Sequence, residues 1–198
     1  MGFRLMDGTG KSFAAKISSD NALLTTAVTE SEEHRKAIVE GQAYFANTTD
    51  TADTLTQTAN GGAMLYLRND SATSNLIIEK VLTSSNGAGG VVKWIKNPTL
   101  GTIGSNNTHT PVNTNFSAGA AADVTCFNWN ETGDGMQGLS AGTILKTFIT
   151  NAGFTIHPID GAVILGKGDA MQVNYNASGA STPEFEAGIR FYFDELEG

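Results

Sequence analysis

The chain has 198 residues, 40% of them hydrophobic and 16% charged, with 20 acidic against 12 basic side chains for a net charge of −8. That length predicts one domain with an appended arm and a core large enough to need no metal or disulfide. The acidic balance argues against binding phosphate backbones. The one basic pair, Arg35-Lys36, sits among Glu30, Glu32, Glu33 and Glu40. A single cysteine, Cys126, closes no bridge within the chain and lies in an apolar stretch, so it reads as a buried small hydrophobe from a reducing compartment. The opening residues 1–6 lack a signal-peptide core and the myristoylation pattern, and no run reaches membrane-span length. The expectation is a soluble, non-exported product of a reducing compartment such as a cytoplasm.

Residues 1–55 differ from the rest. A Gly- and Lys-containing opening leads to the short apolar piece Ala22-Leu23-Leu24 and then to the best helix signal, over about residues 30–40. Thr29 and Glu32 have capping-box spacing, Ala37, Ile38 and Val39 follow, and Gly41 is placed for a left-handed C-cap. Such a helix is marginal alone and needs a surface to lie on. Gln42 to Ala46 can form a strand, and Asn47 to Ala59 reads as a Thr/Asp-rich connector. The segment looks like an extended N-terminal arm.

From residue 56 to 198 the hydrophobic period is two. Met64 and Tyr66 alternate with Leu65 and Leu67, Leu76 to Leu82 is a second run, and Val91 to Ile95 a third, stopped by Asn97-Pro98. Runs near 121–129, 143–149, 153–157 and 161–165 follow. Met171, Val173 and Tyr175 alternate with Gln172, Asn174 and Asn176, and Phe185, Ala187, Ile189, Phe191 and Phe193 with Glu184, Glu186, Arg190 and Asp194. Strict alternation places one face in a core and one in water, with Phe191 and Phe193 in the core. About eight to ten such strands without alternating helices predict an all-β fold, an antiparallel β-sandwich or jelly roll.

No catalytic, cofactor or metal site emerges. Gly8-Thr-Gly10-Lys11-Ser12 resembles the end of a phosphate-binding loop, but Leu5 stands where its first glycine belongs, which favours a surface turn. His34, His109 and His157 lack zinc spacing, and no Gly-x-Ser-x-Gly elbow accompanies them. Asp123, Asp134, Asp160 and Asp169 read as turn formers rather than calcium ligands. Trp94, Trp129, Tyr66 and Tyr175 can form a sugar-stacking platform, although aromatics in strands more often fill cores. The Thr/Asn/Gly-rich stretch Gly101 to Ala122 is a long loop of the kind that carries contacts, with a second copy of the chain or with a glycan.

Asp20-Asn21, Leu24 through Glu32 and Gly41 to Tyr44, then Met64-Leu-Tyr-Leu-Arg-Asn69, Trp94-Ile-Lys-Asn-Pro98 and Leu165-Gly-Lys-Gly-Asp169 occur in an order and spacing that resembles a group of tailed-bacteriophage virion proteins. Cys126-Phe-Asn-Trp129 departs from that pattern, which has a more Lys/Gly-rich stretch there. The resemblance implies a non-enzymatic, jelly-roll-like capsid decoration (cement) protein on the head surface of the virion. It would bridge and stabilise capsomers, with the major capsid protein and copies of itself, first as a homotrimer, for partners. A tail-associated or host-glycan-binding module is the alternative. No nucleic acid, membrane, cofactor or small-molecule ligand is expected. An arm that orders on a partner must recover about 1–2 kcal/mol of backbone entropy per residue, and its apolar residues are the expected contacts: Phe13, Leu23, Leu24 and Val28, with Ala37 and Ile38 on the helix.

Overall fold

A computed structural model describes residues 5–6, 12–13, 16–17, 23–24, 35–36, 40–48, 62–85, 90–99, 107–117, 120–128, 142–150, 152–177 and 185–195. The chain divides into two compact units, Met1–Ser31 and Glu32–Gly198. In the first, β1 (Leu5–Met6) pairs antiparallel with β2 (Ser12–Phe13), and β3 (Lys16–Ile17) with β4 (Leu23–Leu24).

The second unit holds ten strands: β5 (Ala43–Asn47), β6 (Gly62–Asn69), β7 (Ser74–Ser85), β8 (Gly90–Lys96), β9 (Val112–Asn113), β10 (Val124–Asn128), β11 (Thr143–Thr150), β12 (Gly153–Leu165), β13 (Ala170–Ala177) and β14 (Phe185–Glu195). They form two five-stranded antiparallel sheets, ordered β10-β6-β13-β8-β11 and β12-β7-β14-β5-β9. The chain changes sheet at every connection except β10 to β11. This is the antiparallel sandwich that the period-two pattern predicts.

The core lies between the sheets. Leu65, Leu67, Val92, Trp94, Met171, Val173 and Tyr175 of the first face Tyr44, Ala46, Leu76, Ile78, Val81, Ile189 and Phe191 of the second. Tyr175 stacks on Phe185 with ring centroids 4.0 Å apart, and Tyr44 on Phe191 at 5.6 Å. The alternating residues of β14 are all buried, Phe185, Ala187, Ile189, Phe191 and Phe193 alike. Each large apolar side chain removed from water this way contributes roughly 1.5–3 kcal/mol before entropy is counted.

Three expectations are corrected. The boundary near residue 55 moves to Ser31/Glu32, because Ala43–Asn47 is not arm. It pairs with β14 from Tyr192↔Ala43 to Gly188↔Asn47 and sends Tyr44 and Ala46 into the core. The runs near 153–157 and 161–165 are one strand, β12, whose pairing with β7 is interrupted by a bulge between Pro158 and Val163. Gln172 and Asn174 do not face water. Both are buried on the far side of the first sheet, with Tyr66 and Ile95, and Gln172 Nε2 donates to Asn174 Oδ1. Gly142 lies against this face. A Cβ there would stand 2.6 Å from Ile95 Cγ2, and its φ of 86° also favours glycine.

The helix expected over about residues 30–40 lies largely outside the described residues. Arg35 and Lys36 belong to a wide turn, in which Glu40 N donates to Arg35 O (3.2 Å) and Gln42 N to Lys36 O (2.8 Å). Gly41 follows in the expected left-handed conformation (φ 62°). Lys36 Nζ is buried between Glu40 (2.7 Å) and Asp194 (3.3 Å), which ties this turn to the end of β14. Among the described residues no helix is long and apolar enough to cross a membrane.

Candidate functional site

The exposed candidate surface is the outer face of the second sheet and the edge that adjoins it. Register fixes its rows. Ile156, Leu82, Gly188 and Asn47 lie side by side across β12, β7, β14 and β5, and Pro158, Lys80, Arg190, Phe45 and Val112 form the next row. Gly188 has no side chain because the Phe45 ring lies over it; a Cβ would meet Phe45 Cζ at 2.6 Å. Phe45 and Leu82 therefore form a ridge between two shallow grooves. One, of about 240 Å³, is closed by Phe154, Ser84 and Glu186. The other, of about 580 Å³, is bounded by Lys80, Arg190, Val112, Asn113 and Phe116, whose side chain is 93% exposed. Glu79 carries the charge balance here, 2.6 Å from Lys80 Nζ and 3.2 Å from Arg190 Nε.

The edge beside these grooves is built from β11 and β12, which end the two sheets on the same side. Phe148 of β11 and His157 of β12 meet with ring centroids 4.1 Å apart. Both pack against Trp94, and Lys146 Nζ lies 5.2 Å from the Trp94 ring centre. His157 Nε2 is 3.1 Å from Thr83 Oγ1. Burial, and then the Lys146 charge, hold the His157 imidazole below its usual range. Outside this closed seam the two strands expose apolar residues: Ile149 at 78%, Phe154 at 62% and Ile156 at 53%, with Ile144, Leu145 and Ile164 beside them.

The residues weighed for chemistry are not brought together. His109 sits half-buried at the far edge, where its N–H donates to Cys126 O (3.0 Å) and its ring Nε2 accepts from Asn47 N (3.4 Å). Burial lowers its pKa. His157 is on β12, and His34 lies outside the described residues. Cys126 is buried and unpaired, its thiol pushed up to about 12 by burial, as expected of a core residue and unlike a nucleophile. Asp169 bonds Asn97 Nδ2, while the Asp123 carbonyl receives Asp70 N, so both hold turns; Asp134 and the Asp160 side chain lie outside the described residues. No group of three or more His, Cys, Asp or Glu able to hold a metal occurs among the described residues.

Trp94, Tyr66 and Tyr175 are all buried, as core-filling strand aromatics rather than a stacking platform: Trp94 and Tyr175 lie between the sheets and Tyr66 on the far side of the first; Trp129 is outside the described residues. The 101–122 stretch is only partly loop. Its described part contains β9, bridges Thr108 to Phe127 of β10, and buries Asn107. Of the expected contact residues, Phe13 is in β2 and Leu23 and Leu24 are in β4. Their side chains, together with Val28, Ala37 and Ile38 and most of the Gly8–Ser12 segment, lie outside the described residues. Sequence reasoning passed over the outward residues Phe45, Phe154, Ile156 and Ile149. Phe45, between inward Tyr44 and Ala46, stands off the apolar phase of its strand and could have been found that way, whereas Phe154 and Ile156 are the apolar phase of their stretch and gave no such signal.

No family model, no curated protein and no solved structure matches the chain.

Proposed function

We propose that this chain is a non-enzymatic structural component of a tailed-phage virion. In this reading it decorates the outer surface of the head, bridging and stabilising capsomers in contact with the major capsid protein and with copies of itself, first as a homotrimer. The observation that supports a contact protein is the apolar edge formed by β11 and β12. Exposed large aliphatic and aromatic side chains concentrated on one side of a rigid sandwich suit burial against protein. The resemblance carried by the residues around Asn69, Asn97 and Asp169 supplies the viral part of the reading.

Co-sedimentation of the full chain with phage heads that lack it, followed by imaging of labelled particles, tests this. Label distributed over the head is the expected result, and failure to bind any part of the virion overturns it. Label confined to the tail would instead favour the tail-associated reading. The ridge of Phe45 between two grooves bounded by Asn47, Asn113 and Arg190 favours one second reading, a host-glycan-binding module. Glycan-array binding that is lost in Phe45→Ala without unfolding would support it.

A further inference from the structure

We propose that the paired edges of β11 and β12 are the surface through which copies of this chain associate, by strand-to-strand contact that continues the sheets from one copy into the next. The proposal rests on the reading of a self-contacting structural protein given above, but it is measured without any virion.

The first support is the contrast between the two sides of the sandwich. On the far side the sheets end in short strands, one of them covered. β9 has two residues, and β10 has five and is covered at Cys126 and Phe127 by the backbone of His109 and Thr108. On the near side β11 and β12 have eight and 13 residues, and neither has an outer neighbour among the described residues. A long edge presents alternate N–H and C=O groups that another strand can complete, and proteins that remain monomeric usually blunt it with charge, proline or bulges. Here Pro158 and the bulge after it lie in the middle of β12. The stretch next to the connecting turn, Thr147 to Thr150 and Gly153 to His157, carries none of these.

The second support is charge. The chain carries −8, yet residues 143–165 contain one basic and one acidic residue, Lys146 and Asp160. Two acidic copies repel over most of their surfaces and least through this edge, which favours a copy of the same chain over a strongly charged partner. The third is size. At ~3.3 Å per residue the eight-residue β11 is about 26 Å long, and two layers ~10 Å apart make the side that β11 and β12 share about 20 Å wide with its side chains. That is on the order of 500 Å² on each copy, or about the 1,000 Å² in total that a specific interface must clear. Ile149 on one flank, and Phe154 and Ile156 on the other, border the Phe148–His157 seam.

The test is the mass of the full-length protein by light scattering across a dilution series, for the wild type, Ile149→Lys, Ile156→Lys and Phe116→Lys. The expected result is an oligomer whose dissociation constant rises at least about tenfold in the two edge variants. Phe116→Lys, more exposed still but at the β9 side, should leave it unchanged. Hydrogen exchange of the wild type covers the case in which an edge variant misfolds. Amides in 147–150 and 153–157 should become protected as concentration rises. A wild type that is monomeric at its highest soluble concentration overturns the proposal, as does an oligomer that survives both lysines with those amides unprotected. A monomer whose head binding is lost in Ile156→Lys would assign the edge to a different protein. An oligomer broken by the lysines that never binds heads would leave this proposal standing and remove the virion reading.

Discussion

Asn97 and Asp169, 72 positions apart, hold each other at one end of the first sheet, with Asn97 Nδ2 donating to Asp169 Oδ1 at 2.8 Å. Asn97 also exchanges two bonds with Ala170, receiving Ala170 N on its Oδ1 (2.7 Å) and giving its own N–H to Ala170 O (2.8 Å), while its backbone is left-handed (φ 46°). Asn69 completes the corner. Its Nδ2 donates to Ser74 O and Leu165 O, and its main chain bonds Gly168 N and Asp169 O. Three of the motifs that carry the resemblance therefore meet in one hydrogen-bonded junction where β6, β8 and β13 begin or end. Asp169→Ala should cost about 1 kcal/mol, since it loses the exposed bond to Asn97 and a long one from Gly166 N (3.3 Å), and Asn97→Ala about 1–2 kcal/mol, because it also loses the short, partly buried bond from Ala170 N and a residue type that tolerates the left-handed region. Asn97→Gly should fall between them. Urea unfolding midpoints check the order.

Two glycines should respond unequally to the same methyl group. At Gly90 a Cβ would stand 2.2 Å from the ring of Tyr175, which is sealed in the core against Phe185, so Gly90→Ala should cost about 1–3 kcal/mol. At Gly188 the obstacle is half-buried Phe45, which can swing toward solvent; Gly188→Ala should unfold at a temperature closer to that of the wild type and reshape both grooves. Thermal melts of the two variants, read side by side, decide it.

Acid should weaken the sandwich through its imidazoles. His109 and His157 both have folded pKa values below 6.5, first because burial disfavours the charged ring. The unfolded chain then binds more protons than the native one as pH falls. The contribution is fully present above about 6.5 and is lost as pH drops through the lower folded values. Melting temperature should fall from pH 7 to pH 5, and His157→Gln should flatten part of that slope. An unchanged slope in the variant would remove His157 from the account.

Cys126 should not react with a thiol reagent in the native protein. Its sulfur is buried and its pKa, about 12, leaves almost no thiolate at neutral pH. Labelling should appear only with global unfolding, at one equivalent per chain.

Much of the fold was legible in the sequence because alternation and burial coincide in it. β14 reads directly from Phe185 to Phe193, and β8 ends where Asn97-Pro98 says it should. The failures share a cause. Period two reports which residues share a face, not what lies on the far side, so Gln172 and Asn174 could not be recognised as buried. β5 was assigned to the arm because five residues between a Gly and a Thr-rich connector carry little local signal; its place was set by pairing with β14, some 145 positions later. The candidate surface was less legible still. Ile149, Phe154 and Ile156 look like core residues in any strand, and only the register that turns them to the outer faces of β11 and β12, at the rim of the sandwich, makes them exposed.

The position of β14 also bears on how the protein comes into being. It lies between β7 and β5, so the second sheet has a gap at its middle until residues 185–195 have been synthesised. β5 and β7 emerge from the ribosome long before the strand that joins them, and their inward faces must wait. Completion of the sandwich thus waits on its last strand and on pairings between residues far apart in the chain, which makes folding slow.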